Sequence, residues 1–305
     1  MTPTLEELVA AELAEPLDAR VSKMAAAIAA AYPGAARAVL FYGSCLRTAE
    51  LDGQMLDFYL IVSDYRAAYG KSWMTAANRL IPPNVFPFEH EGLAAKYAVL
   101  SEGDFARECS IKARSVSVWA RFAQPSRLVW AADEQAAERA VAAVAEAAPT
   151  LFQFTLPMLR DPSGPFDIWK SGFALTYGAE VRAERKERSS NIVDTWPDRY
   201  EAFTQPTLAA VAKRRGVGPT GEAALICSPQ EMSRRWRRMQ RKGKILSVLR
   251  LAKASVTFAG GIDYLAWKIN RHAGTEISIK TWQRRWPLLG AITLLPRLLK
   301  RGAVR

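Results

Sequence analysis

The chain has 305 residues, half of them hydrophobic and a quarter charged, which excludes an intrinsically disordered chain and leaves room for a sizeable core in one or two domains. Its net charge of +12 is lopsided: residues 1–181 sum to −5 and residues 182–305 to +17. That imbalance implies a polyanionic partner for the C-terminal part, and composition alone does not choose between nucleic acid and an anionic membrane face.

The acidic N-terminus, MTPTLEELVAAELAEPLDAR, is a poor match to a secretory signal or a transit peptide. Residues 4–32 carry Ala and Glu at helical spacing until Pro33-Gly34 ends them. AVLFYGS (38–44) and MLDFYLIV (55–62) read as strands, as do KYAVLS (96–101) and SRLVWAA (126–132), with a helix predicted over 103–123. An Ala-rich helix is predicted over 134–148. Phe166, Trp169, Phe173 and Tyr177 then recur at the spacing of an amphipathic helix. After the polar RKERSSN (185–191) a further helix runs towards Val211, and RRGVGPTGEA (214–223) reads as a connecting loop. MSRRWRRMQRKGK (232–244) is a dense basic block. Near the end, WPLLGAITLLP (286–296) is about half the length of a bilayer span, so no transmembrane helix is predicted. Cys45, Cys109 and Cys227 lie far apart and read as free thiols in a reducing compartment. The two histidines, His90 and His272, have no ligand spacing.

The stretch that carries chemistry is VLFYGSCLRTAELDGQMLDFYLIVSDY (39–65). Period-2 geometry puts Asp57, Tyr59 and Ile61 on one face of their strand and Leu56, Phe58, Leu60 and Val62 on the other. A carboxylate inside an apolar strand costs several kcal/mol unless a cation or a metal offsets it. Gly43-Ser44 closes the preceding strand just before a helix start. Gly43 allows close backbone approach, while Ser44 and nearby N–H groups can donate to phosphate oxygens. Arg47, one turn on, can add a charge-assisted contact, and Asp57 can hold Mg²⁺ over the same phosphates. Gly-Ser, a spacer and two acids at i and i+2 form the nucleotidyltransferase pattern; here Tyr59 stands at the second position. A glycine turn beside one satisfied core aspartate accounts for the same residues equally well.

Taken in order over residues 39–195, YGS, MLDFYLIVSDY, KYAVLS, QPSRLVW, TLPML, IWKSGFALTYGAEVR and NIV resemble the mitochondrial-type phosphatidate cytidylyltransferase family, whose members are peripheral membrane enzymes. KASVTFAGG (253–261) is a weaker echo of that family's basic C-terminal element. The resemblance implies an α/β nucleotidyltransferase-like mixed sheet over 1–133, a mainly helical, winged-helix-like second domain over 134–243, and a basic membrane-associating tail over 244–305. It assigns Gly43 and Ser44 to nucleotide phosphates, beside which Arg47 is expected from its place one turn on, and Asp57 to Mg²⁺. The family too has a single MLDF aspartate, so a second acid must come from elsewhere; Glu180 and Asp64 are the candidates. Lys96, Arg182 and Lys253 are expected to meet the lipid substrate. The chain departs from the family pattern at Cys45 and Ala98, each in place of Gly, and at Glu180 in place of Asp.

The implied reaction joins CTP to phosphatidate, giving CDP-diacylglycerol and pyrophosphate in phospholipid biosynthesis. It needs no histidine, since metal-assisted displacement rests on positioning and charge neutralisation. The implied location is cytoplasmic, peripheral on the inner face of the membrane. The basic blocks and Trp282 and Trp286 would face anionic lipid, with no nucleic acid expected. Two rivals stand beside this: a nucleotidyltransferase with a non-lipid acceptor, and a catalytically inactive relative that binds anionic lipid.

Overall fold

The computed structural model describes residues 3–48, 50–159, 164–179, 188–214, 228–257 and 279–281. Helices α1 (Leu5–Leu13) and α2 (Ala19–Ala30) precede strand β1 (Ala36–Tyr42). A short helix, α3 (Ser44–Thr48), leads to β2 (Met55–Val62), followed by α4 (Tyr65–Tyr69) and α5 (Trp73–Leu80). Strands β3 (Asn84–His90) and β4 (Leu93–Ser101) form a hairpin. Helices α6 (Glu102–Cys109) and α7 (Trp119–Phe122) separate it from β5 (Ser126–Ala131). The later described segments are helical: α8 (Glu134–Ala145), α9 (Ala147–Thr155), α10 (Pro165–Tyr177), α11 (Arg188–Thr195), α12 (Pro197–Arg214) and α13 (Pro229–Thr257).

The five strands form one mixed sheet in the order β3-β4-β2-β1-β5. The β2–β4 pair is parallel and the other three are antiparallel. The fold is α/β. The alternation read from the sequence appears directly as two cores. Leu56, Phe58, Leu60 and Val62 meet Val39, Phe41 and the α2 residues Val21, Met24 and Ile28 on one face. Tyr59 and Ile61 join Ala38, Leu40 and Leu100 on the other. Each fully buried Leu, Ile or Phe contributes about 2 kcal/mol, so β2 has driving force enough to carry one polar position.

The second core does not end at the sheet. It continues through Phe152, Trp169, Phe173, Tyr200 and Trp236, so α9, α10, α12 and α13 share one apolar cluster with β1 and β2. A boundary at 133/134 therefore coincides with no break in packing, and one at 243/244 falls inside α13. The basic block is the exposed side of that helix: Met232, Trp236 and Met239 point inward at helical spacing while Arg234, Arg237 and Arg238 stay exposed. Gly243 is on the inner side, where an added Cβ would collide with the Ala179 carbonyl oxygen.

Several elements differ from the sequence expectation. The helical stretch over 4–32 is two helices, α1 and α2, with Pro16 in the connection, and the stretch towards Val211 is likewise two, α11 and α12. The helix predicted over 103–123 is broken after Cys109, where the Ser110 hydroxyl donates to the Arg107 carbonyl (2.8 Å) and the buried Glu108 accepts from the Arg114 backbone N–H (3.1 Å). The helix predicted over 134–148 is two, with Pro149 in the first turn of α9, where its missing N–H costs nothing. Strand β3 was not anticipated because Pro87 lies inside it. Pairing only with β4, it is an edge strand, the place where a sheet tolerates proline.

Candidate functional site

The register of the sheet assembles the site. Tyr42 of β1 lies opposite Asp57 of β2, and Asp57 opposite Lys96 of β4. Tyr42 also faces Ser126 of β5, so four side chains from four strands stand in one row. At the end of β1 the chain turns at Gly43 with φ +101°, a conformation side chains rarely adopt. A Cβ there would lie 3.1 Å from Asp57 Oδ2, so only glycine lets the carboxylate lie across the turn. Ser44 follows, exposed, as the first residue of α3, and Arg47 is half-buried on the same helix.

Asp57 Oδ1 pairs with Lys96 Nζ at 2.8 Å, with the two side chains 19% and 28% exposed. This cation answers the cost of a carboxylate in an apolar strand. Tyr42 stacks at a tilt on Tyr59 (5.3 Å between centroids) and Phe122 (5.9 Å). Burial, then the Asp57 carboxylate, push its phenol well above the ordinary value, while Arg121 pulls the other way through its charge and a hydrogen bond; Tyr42 stays protonated. Arg121 also donates to the Ser117 carbonyl. Beneath the turn, Cys45 is buried and donates to the Met55 carbonyl (3.8 Å). Burial and then Asp57 raise its thiol pKa, so no thiolate is available for nucleophilic work.

The expected residues do not all converge. Gly43, Ser44, Asp57 and Lys96 come together, with Lys96 on the aspartate; Arg47, three residues further along α3, acts on the Tyr200 phenol of α12. Tyr59 belongs to the core at 3% exposure. Asp64 does not join Asp57: the rest of β2 and Ser63 separate them, about 20 Å of extended chain. Its carboxylate instead caps α4, accepting from the Arg66 and Ala67 N–H groups at 2.7 and 3.0 Å, which lowers its pKa. Lys253 is buried on α13 and donates to the Ile81 carbonyl. Burial, then Arg250, depress its pKa to about 7. Arg250 donates to the Pro82 carbonyl and the Ser117 hydroxyl, both at 2.7 Å, so the two cations anchor the end of α13. Glu180, Arg182, Trp282 and Trp286 lie outside the described residues. Among the described residues no group of three or more His, Cys, Asp or Glu side chains is arranged to hold a metal ion.

Sequence reasoning missed Tyr42 and Arg121. Tyr42 was legible from its place beside Gly43, opposite the aspartate of an antiparallel neighbour. Arg121 carries no local signal, because the break after α6 is what returns it to the sheet.

No protein-family model matches the chain, and no curated protein matches it either.

Proposed function

We propose that the chain is a magnesium-dependent phosphatidate cytidylyltransferase, with a nucleotidyltransferase-like sheet and a winged-helix-like helical part. The observation that carries this reading is the contact of the Gly43-Ser44 turn with the Asp57 carboxylate, 3.1 Å from the missing Cβ. A glycine held at positive φ against a partly exposed carboxylate, with an exposed serine hydroxyl next in sequence, suits a triphosphate and a hard cation together.

Asp57 would hold Mg²⁺, consistent with the habit of that ion of taking one or two carboxylates and completing its shell with water and phosphate oxygens. Bound there, the ion supplies neutralisation of the α-phosphate and of the departing pyrophosphate. The chain's own groups do the rest. Ser44 and the N–H groups of the turn donate to the triphosphate, and Arg47 adds charge one helical turn away. A phosphatidate phosphate oxygen attacks the CTP α-phosphorus in line; the new P–O bond forms as the bond to the bridging oxygen breaks, and pyrophosphate leaves with that electron pair. Lys96, which pairs with Asp57, would meet the incoming phosphate beside that carboxylate. Tyr42, kept protonated, donates beside the same carboxylate. The protein works peripherally, on the inner face of the membrane.

The test is pyrophosphate release from each of the four nucleotides with Mg²⁺, with and without phosphatidate vesicles, with the lipid product identified. Release that needs both CTP and phosphatidate supports the reading; release indifferent to lipid moves the acceptor elsewhere. A second reading, a binding protein without turnover, is favoured by the Asp57–Lys96 pair, which satisfies the carboxylate without any metal. It predicts no release from folded protein.

A further inference from the structure

We propose that α4 and α5 form a membrane-docking surface that binds the phosphate headgroups of anionic lipids, separate from the Asp57 site. A cleft of about 490 Å³ opens between these helices, and Arg66, Lys71 and Arg79 line it. None of the three has an ion-pair partner among the described residues. The nearest acid, Asp64, is already committed to the α4 N–H groups and is stabilised as the anion by Arg79 and Arg66. The cleft therefore carries a surplus of positive charge. Ser72 also lines the cleft, and its buried hydroxyl has no hydrogen-bond partner among the described residues.

The rim is apolar. Trp73 is 54% exposed and Leu80 74%, two of only four large hydrophobic side chains exposed among the described residues. With Ala76 they occupy an arc of about 60° on the outer side of α5. The inner side is pinned: the Asn78 amide donates to the Val99 carbonyl (2.9 Å) and the Thr75 hydroxyl to the Gly70 carbonyl (2.8 Å). The exposed face is thus held outward by the fold. The other two exposed side chains, Ile245 and Leu249, are on α13, which meets the residues just past α5 through Arg250 on Pro82 and Lys253 on Ile81.

Cations that bind phosphate, beside an indole and a leucine that bury in the acyl boundary, match an anionic bilayer better than a soluble anion, which offers nothing to the apolar rim. The surface lies past the end of β2 remote from Asp57, so docking there tethers the protein without covering the Gly43 turn. The inference rests on the proposed reaction only for the identity of the lipid.

The test is sedimentation of the full chain with phosphatidylcholine vesicles, alone or containing phosphatidate or phosphatidylglycerol. Two variants are run beside the wild type, R66Q/K71Q/R79Q and W73S/L80S, each checked for an unchanged melting curve. Each cation near an anionic leaflet is worth about fivefold, so the triple variant should lose on the order of a hundredfold in affinity for either anionic vesicle. W73S/L80S should lose binding that high salt does not remove from the wild type. Both variants should keep wild-type turnover of detergent-dispersed phosphatidate, whereas Asp57→Asn should lose turnover and keep vesicle binding. Loss of vesicle binding in the variants of a protein with no turnover would uphold the surface and overturn the reaction. Wild-type vesicle binding by both variants, or displacement of the wild type by equimolar inorganic phosphate or RNA, would overturn the surface.

Discussion

The two ends of β2 each place an aspartate among cations, and they use it in opposite ways. At the start of the strand, Asp57 faces the glycine turn, is one-fifth exposed, and pairs with a single lysine on a neighbouring strand. Past its end, Asp64 is exposed and spends its oxygens on the backbone N–H groups of α4, near Arg66 and Arg79. The first carboxylate has no local backbone duty, so its position is explained only by its partners across the sheet. The second is accounted for by helix capping alone. Residue type and nearby charge are the same at both ends; what separates a candidate site from a structural device is which atoms the carboxylate already satisfies.

The sharpest way to break this comparison is substitution at Asp57. Asp57→Ala should lower nucleotidyl transfer by on the order of a thousandfold, as expected when a charge-stabilising group at the reacting phosphate is removed. It should cost only about 1–3 kcal/mol in chemical denaturation, because Lys96 loses one ion-pair contact but keeps access to water. Lys253 comes next. Its folded pKa, about 7, lies below its unfolded value. The folded state therefore binds fewer protons across that window, and stability rises with pH from about 7 to about 10. Urea titrations over that range should show a gain on the order of a few kcal/mol in the wild type and a flat profile in Lys253→Met. Gly43→Ala should destabilise by about 1–2 kcal/mol, from left-handed backbone strain, and should reduce turnover as the carboxylate is displaced. The smallest effect belongs to Asp64→Ala. The capping bond stabilises above the unfolded carboxylate pKa and is lost as pH falls through the lowered folded value, so the variant should differ from wild type in melting temperature at neutral pH and converge with it in acid. Its turnover should be unchanged.

Much of this arrangement was legible in the sequence, for reasons that also explain what was not. Strands β1, β2, β4 and β5 are predominantly apolar runs, each carrying one charged residue, and the period-2 reading of β2 put Asp57 on the face it occupies. The Gly43 turn and Asp57 come together because β1 and β2 pair antiparallel over a short connection, a local event. Lys96 was expected to meet substrate, but its partner is fixed by a parallel pairing across forty residues of chain, which no local pattern encodes. The same limit hid Arg121, delivered by a helix break that hydrogen bonds of Ser110 and Glu108 create, and strand β3, which Pro87 disguises. Asp64 misled because it stands just past an apolar strand, where a metal ligand and a helix cap look alike until the N–H groups are located.

On the proposed function, the role of Asp57 in its strand is chemistry and not stability. It is tested most directly by Asp57→Asn, which keeps the shape and removes the charge, assayed for pyrophosphate release with CTP, Mg²⁺ and phosphatidate beside a denaturation curve. Loss of nearly all release with a modest change in stability is the predicted result. Unchanged release, or no release by the wild type and a large loss of stability in the variant, would make Asp57 a structural partner of Lys96 and contradict the account.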